Sequence, residues 1–228
     1  MIIPALDEEA ALAKVLADLP RTGTGFQVRE VVVVDNGSTD RTADVAREAG
    51  ASVIAEPRRG YGSACLAGLA HLRREPPDLV AFLDADYSDD PSQLPELLEP
   101  IVTGRAELAI GSRLRGRPEP GSLTAAQAFG SRLAALLLRF LFGLAATDLG
   151  PFRAIRWQAL QTLGMRDRDF GWTVEMQARA ARMALRVIEV PVRYRPRVGR
   201  SKISGTLRGV LGAGWKILFT IARVRLGA

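Results

Sequence analysis

Apolar residues fall along this chain in short unbroken runs that alternate with longer amphipathic stretches. Runs rich in Val, Ile and Leu lie near 1–4, 29–35, 51–55, 78–84 and 106–111 and predict strands. The stretches near 8–18, 40–49, 62–74 and 92–103 predict helices. Strand and helix in alternation argue for an α/β fold, a mostly parallel central sheet with helices on both faces. Residues 113–123, basic and rich in Pro and Gly, break the pattern and read as an exposed connector or a mobile lid. The apolar run at 133–144 is too short to span a bilayer and is interrupted by Arg139, so it reads as a core helix or one lying in a membrane interface. Over 207–226, Leu207, Val210, Leu211, Gly214, Leu218, Ile221 and Val224 recur at helical spacing, with Arg208, Lys216, Arg223 and Arg225 adding positive charge. This basic amphipathic helix either lies on an anionic membrane, or packs on the domain, or docks with one edge exposed.

Composition narrows the class. A chain of 228 residues with a 47% hydrophobic share holds one domain, with or without an appendage, and is too apolar for disorder. Its single cysteine, Cys65, excludes a disulfide framework and reads as a small packed residue. With one cysteine and one histidine, His71, a His/Cys zinc cage is ruled out. The net charge of +6 suits anionic partners: nucleic acid, sugar nucleotides or a membrane surface. No basic helix with base-reading residues and no aromatic RNA platform is visible, so nucleic acid is not an expected partner. The opening residues show no secretory signal.

The chemistry concentrates where apolar runs stop. The run at 79–83 ends in Asp84 and Asp86, followed by Asp89 and Asp90. Acids at the C-terminal edge of a buried strand stand where ligands of open parallel sheets bind, and side chains two apart in extended backbone face the same way. Two hard oxygen ligands there suit Mg2+ or Mn2+; the alternative is an acidic turn capping the helix that starts near Pro91. The run at 31–34 likewise ends in Asp35, Asn36, Gly37, Ser38, Thr39 and Asp40. A third short run, Ile2 and Ile3, leads into Pro4, Ala5, Leu6, Asp7, Glu8 and Glu9.

These three motifs together resemble glycosyltransferase family 2, the inverting enzymes of GT-A fold. The resemblance extends over about residues 2–205. Gly111-Ser112-Arg113, the stretch from Asp148 to Arg153, Phe170-Gly171-Trp172 with Glu175, and the stretch from Arg197 to Lys202 are similar to the polyprenyl- and dolichol-phosphate sugar synthases. The resemblance implies a Rossmann-like GT-A domain over 1–205, with a nucleotide-binding half at 1–112 and an acceptor half at 113–205, followed by the amphipathic helix at 206–228. It implies transfer of a hexose from a nucleotide-diphosphate sugar, of UDP-glucose or GDP-mannose type, to a polyprenyl phosphate. The enzyme would be cytoplasmic, peripheral on the inner face of the plasma membrane, with homo-oligomerisation left open.

Residue by residue, Asp86 is the expected metal ligand, with Asp84 on the ribose or a metal-bound water. Ser88 stands where many relatives carry Gln or His as a further ligand. Pro4, Leu6, Glu8 and Asp35 are expected on the nucleoside. Arg113, Arg197, Arg200, Ser201 and Lys202 fall on the stretches expected to bind donor and acceptor phosphates. Gly60 and Gly62, after Arg58 and Arg59, are expected either to let backbone approach phosphate or to form a turn before a helix. A hydroxyl acceptor would need a base, for which Asp148 or Glu175 is the candidate, whereas a lipid phosphate attacks with little or none. Trp172 reads as packed on a sugar or lipid, or as core. The competing readings are the same fold with a glycan or glycolipid acceptor, a noncatalytic sugar-nucleotide or membrane-binding module, and a phosphatase using Asp84. The last leaves the Asp35 motif without a purpose. The short first strand suggests a trimmed start, and the lack of C-terminal membrane spans suggests a short form or a truncated chain.

Overall fold

The structure is a computed structural model and describes residues 1–199 and 207–227. In chain order the elements are β1 (Ile2–Ala5), α1 (Glu9–Ala17), the two-residue strands β2 (Thr22–Gly23) and β3 (Phe26–Gln27), β4 (Val32–Asp35), α2 (Thr42–Glu48), β5 (Ser52–Ala55) and α3 (Tyr61–Leu72). Then come β6 (Leu79–Phe82), α4 (Leu94–Val102), β7 (Leu108–Pro118), α5 (Ala125–Phe142), β8 (Arg153–Arg156), α6 (Trp157–Leu163), α7 (Trp172–Arg182), β9 (Val187–Tyr194) and α8 (Leu207–Leu226). Seven strands form one sheet in the order β5-β4-β1-β6-β8-β7-β9. Only β8 runs against its neighbours. The expected mostly parallel α/β sheet is therefore present.

Alternation along each strand builds two apolar layers. Ile3, Val33, Ala81 and Leu83 face α1 and α4, where Leu12, Val15, Leu97 and Ile101 meet them. Ile2, Val32, Val34, Val80 and Phe82 face the other way, onto Cys65, Leu69, Trp172 and Met176 of α3 and α7. Cys65 and Trp172 are thus core residues, and the Trp172 ring stands edge-on to Phe82 at 5.9 Å.

Two expectations are corrected. Residues 113–118 are not a lid but the second half of β7, paired with β9 through Arg117 and Arg193 and through Pro118 and Tyr194. Gly116 is what permits it: a Cβ there would lie 1.8 Å from the Val192 carbonyl oxygen. The boundary drawn at 112 accordingly falls inside a strand, and only 119–123 form a connecting turn. The apolar segment after it is also longer than its run at 133–144. α5 covers 18 residues, opened by a Thr124–Gln127 capping box and closed by Gly143 in the left-handed conformation. By length and composition it could cross a membrane. However, Ala134 and Leu138 pack on α7 and α8 in a third apolar cluster with Val174, Ile221 and Val224. α8 is docked through that cluster, while Trp215 and Phe219 of α8, like Phe129 and Phe140 of α5, remain exposed.

Truncating Trp172 removes the largest fully buried side chain. Trp172→Ala is expected to cost about 3–5 kcal/mol of unfolding free energy, read from the shift in urea midpoint.

Candidate functional site

The crevice lies beyond the C-terminal ends of β1, β4 and β6, as a parallel sheet dictates. The turns after β1 and β4 hold each other. Asp7 N–H donates to Ser38 Oγ (3.0 Å), Thr39 N–H donates to Asp7 Oδ1 (2.7 Å), and Glu8 N–H donates to Thr42 Oγ1 (2.8 Å). Asp7 sits at φ 49°, a region that Asp and Asn enter more readily than other non-glycine residues. Asn36, which sequence reasoning did not single out, ties in the next loop. Its Oδ1 accepts from Gly60 N–H (2.8 Å) and its Nδ2 donates to the carbonyls of Glu56 (2.9 Å) and Arg58 (2.8 Å).

At the end of β6 the acids divide by role. Asp84 Oδ1 is buried with no hydrogen-bond partner among the described residues. Burial, and then the charge of Asp86, push the Asp84 carboxyl up to about 7. Asp86 Oδ1 accepts from Ser88 N–H (2.9 Å) and Ser88 Oγ (2.6 Å), and Asp86 Oδ2 lies 3.2 Å from Arg197 Nη2. The Ser88 hydroxyl therefore orients Asp86. Tyr87 between them adopts φ 62°, a strained conformation for a bulky residue. Asp90 is a cap: it accepts from Ser92 N–H (3.2 Å) and Oγ (2.7 Å) and pairs with Arg195 (2.6 Å). Asp89 is buried with both oxygens unpartnered among the described residues, and burial and Asp84 push its carboxyl well up.

Arg113 emerges from β7 into this acidic centre. Its Nη2 and Nε bind the two oxygens of Asp148 at 2.7 and 2.8 Å, and its own N–H donates to Asp148 Oδ2 (2.9 Å). Leu149 N–H donates to the remaining side of Oδ1 (2.7 Å). Burial raises the Asp148 carboxyl, but the hydrogen bonds and charge of Arg113 outweigh it and hold the group below the usual range. With its acceptor positions filled, Asp148 fits a support for Arg113 and not a base. Glu175 is committed in the same way. Oε2 accepts from Arg166 N–H (3.0 Å) and Asp167 N–H (2.7 Å), and Oε1 accepts from Arg179 (3.0 Å) and Arg223 (3.2 Å).

The close approach of protein requires glycine at both 60 and 62. A Cβ at Gly60 would lie 2.2 Å from the Arg168 carbonyl oxygen, and one at Gly62 2.1 Å from that of Asp167. Arg168 also accepts from Ser63 N–H (2.9 Å), so the N-terminus of α3 is already capped by the 166–171 turn.

Two cavities meet at the acids. One, of about 400 Å3, is lined by Pro4, Leu6, Glu8, Asn36, Tyr61 and Phe170. The other, of about 450 Å3, runs between α5 and α8 past Arg113, Tyr194, Phe129, Leu133, Ile217 and Leu218. Asp84, Asp86 and Arg197 line both. Arg197 bridges the two motifs, with Nη2 3.0 Å from Glu8 Oε1. Of the expected nucleoside residues only Asp35 stands back from the first cavity; its Oδ1 accepts from Ser38 N–H (2.9 Å). Arg200, Ser201 and Lys202 lie outside the described residues. Phe170 on the far wall went unassigned in the sequence, although it belongs to the Phe170-Gly171-Trp172 motif. A third cavity, of about 520 Å3, opens beside Met1 and Pro76 and gathers none of these acids.

Residues 1–164 match the sequence profile of glycosyl transferase family 2. A glycosyltransferase of Mycobacterium tuberculosis is 41% identical over 223 residues, covering 96% of each chain. The undecaprenyl-phosphate mannosyltransferase of Micrococcus luteus is 31% identical, covering 99% of this chain and 98% of its own. The dolichyl-phosphate hexose transferase of Haloferax volcanii is 32% identical, covering 89% and 85%. Among solved structures, glucosyl-3-phosphoglycerate synthase of M. tuberculosis, crystallised with Mn2+, UDP and glucosyl-3-phosphoglycerate, superposes with a TM-score of 0.77 at 24% identity, covering 99% of this chain and 78% of its own. That likeness places the sheet and its crevice in the same fold, and the sequence matches extend over nearly the whole chain. The protein is a glycosyltransferase of family 2.

Proposed function

We propose that this enzyme moves a hexose from a nucleotide-diphosphate sugar to a polyprenyl phosphate, with inversion, in the presence of Mg2+ or Mn2+. The observation that carries the reading is the pair of cavities joined at Asp84, Asp86 and Arg197. The first, lined by Pro4, Leu6 and Glu8, takes the nucleotide sugar. The second is apolar along α5 and α8 and cationic at its inner end, which suits an anionic headgroup on a hydrocarbon chain. Phe129 lines it, and with the other exposed aromatic residues of α5 and α8, Phe140, Trp215 and Phe219, would rest on the cytoplasmic face of a membrane.

The acids fit a divalent cation. Asp84 carries an orphaned buried oxygen, and Asp86 is held by Ser88 with its second oxygen turned to a cation, Arg197. Among the described residues no group of three or more Asp, Glu, His or Cys could enclose a metal, so an ion held here takes its other ligands from diphosphate and water, as Mg2+ does. When bound, such an ion supplies positive charge against the leaving diphosphate. Arg113, fixed by Asp148, and Arg197 draw the acceptor phosphate to the sugar. A phosphate oxygen forms the new bond to the anomeric carbon while the bond to the nucleoside diphosphate breaks on the opposite face, and no proton need be removed. Neither Asp148 nor Glu175 retains free acceptor capacity, which favours this over a hydroxyl acceptor.

Transfer is expected to undecaprenyl or dolichyl phosphate and not to the corresponding alcohol, scored by lipid extraction of radiolabelled sugar; equal use of the alcohol overturns the reading. Arg113→Lys, which loses the two-point grip of the guanidinium, is expected to lower kcat/KM for the lipid phosphate about 10- to 100-fold.

Asp84 also predicts a pH signature. Its value in the folded protein, about 7, lies above its ordinary 3.8. The unfolded chain therefore releases this proton first, and metal-free stability falls on its account as pH rises between those values. In EDTA at pH 8, Asp84→Asn is expected to melt above the wild type, with a narrower gap at pH 5. With Mn2+ the wild type gains and Asp84→Asn does not, read by thermal shift.

A further inference from the structure

We infer that α8 is a working part of the donor pocket, acting through Lys216 and Thr220 on the 166–171 turn, which contributes Phe170 to the pocket's lining. The inference rests on the reading of that pocket as the nucleotide-sugar site. A helix that merely covered the domain would need only its apolar face, Ile217, Ile221 and Val224. α8 does more, for it sends three polar side chains under the turn. Lys216 Nζ lies 3.2 Å from Asp167 Oδ2 and 3.5 Å from Asp169 Oδ2. Thr220 Oγ1 donates to Asp167 Oδ2 (3.4 Å), and Arg223 Nη2 lies 3.8 Å from the same oxygen and 3.2 Å from Glu175 Oε1.

Asp167 is the hinge of this contact. It is 1% exposed, and its other oxygen accepts from Asp169 N–H (2.8 Å) and Gly171 N–H (3.1 Å), which sets the shape of the turn. A buried carboxylate stays in place only while its partners do. The fit is close enough that a Cβ on Gly171 would lie 2.4 Å from Thr220 Oγ1. From the turn the chain of contacts continues inward. The Arg168 carbonyl receives Ser63 N–H at the start of α3, Gly60 and Gly62 are pressed against the carbonyls of Arg168 and Asp167, and Phe170 stands in the cavity opposite Pro4 and Glu8. Lys216 and Thr220 line neither of the two cavities, so they act as positioning residues.

The full-length protein carrying Lys216→Ala tests this, with Thr220→Val as a gentler second variant. Amide hydrogen exchange is expected to accelerate at 166–171 and 61–64 while the central strands keep their protection. The Kd for UDP or GDP with Mn2+, whichever the wild type binds, is expected to rise about five- to tenfold. Lys216→Arg, which keeps the charge, is expected to restore both. Unchanged exchange at both segments in both variants overturns the inference, as does an unchanged Kd when exchange has increased. If the wild type binds neither nucleotide, the assignment of the donor pocket fails, and the exchange measurement still decides whether α8 holds the turn.

Discussion

Four carboxylates, Asp84, Asp86, Asp89 and Asp148, gather where β6 ends; Asp86, Asp89 and Asp148 are at least nine-tenths buried and Asp84 is partly so. Removing that much negative charge from water is costly unless positive charge is brought to it. Three arginines from separate later segments answer the demand. Arg113 comes from β7, Arg153 from β8 and Arg197 from the chain after β9. Arg153 is fully buried and donates to the carbonyls of Leu149, Gly150 and Thr173, with burial pulling its guanidinium down to about 10. It shapes the turn that carries Asp148, which in turn fixes Arg113. The balance stays incomplete at Asp84 Oδ1 and at both oxygens of Asp89, which lack a partner among the described residues.

The strand-and-helix alternation of the first half was legible because β1, β4 and β6 are short, mostly apolar runs with few exposed positions. Motif reading brought together residues that do converge: Pro4, Leu6, Glu8, Asp84, Asp86 and Arg197 share one crevice. What escaped were features with no local signature. The continuation of β7 through Pro118 looked like a loop because its Pro, Gly and Arg content is that of a connector, yet Gly116 is there to let β9 pass close by. Ser88 was read by position alone, and its hydrogen bond to Asp86 shows only in the structure. The glycines at 60 and 62 suggested a phosphate because glycine before a helix often serves one; the space they leave is filled by the chain a hundred residues later. Asp148 suggested a base because acids at such turns often are, and only its partners reveal that it is saturated.

α5 and α8 share one apolar seam and present an aromatic outer surface. Their inner sides line the cavity that ends at Arg113. Under the proposed function, a long hydrocarbon acceptor would present its headgroup to the acids without leaving its own phase.

The Arg197–Glu8 bridge joins positions 189 residues apart. Sequence separation of that size delays closure, since chain entropy must be surrendered before the contact rewards it. During synthesis from the N-terminus, the turns after β1 and β4 and the acids after β6 emerge long before the guanidinium that ties Glu8 to Asp86. A nascent chain halted short of residue 197 would hold its negative charges without that counterweight, and the crevice is accordingly the portion of the molecule completed last.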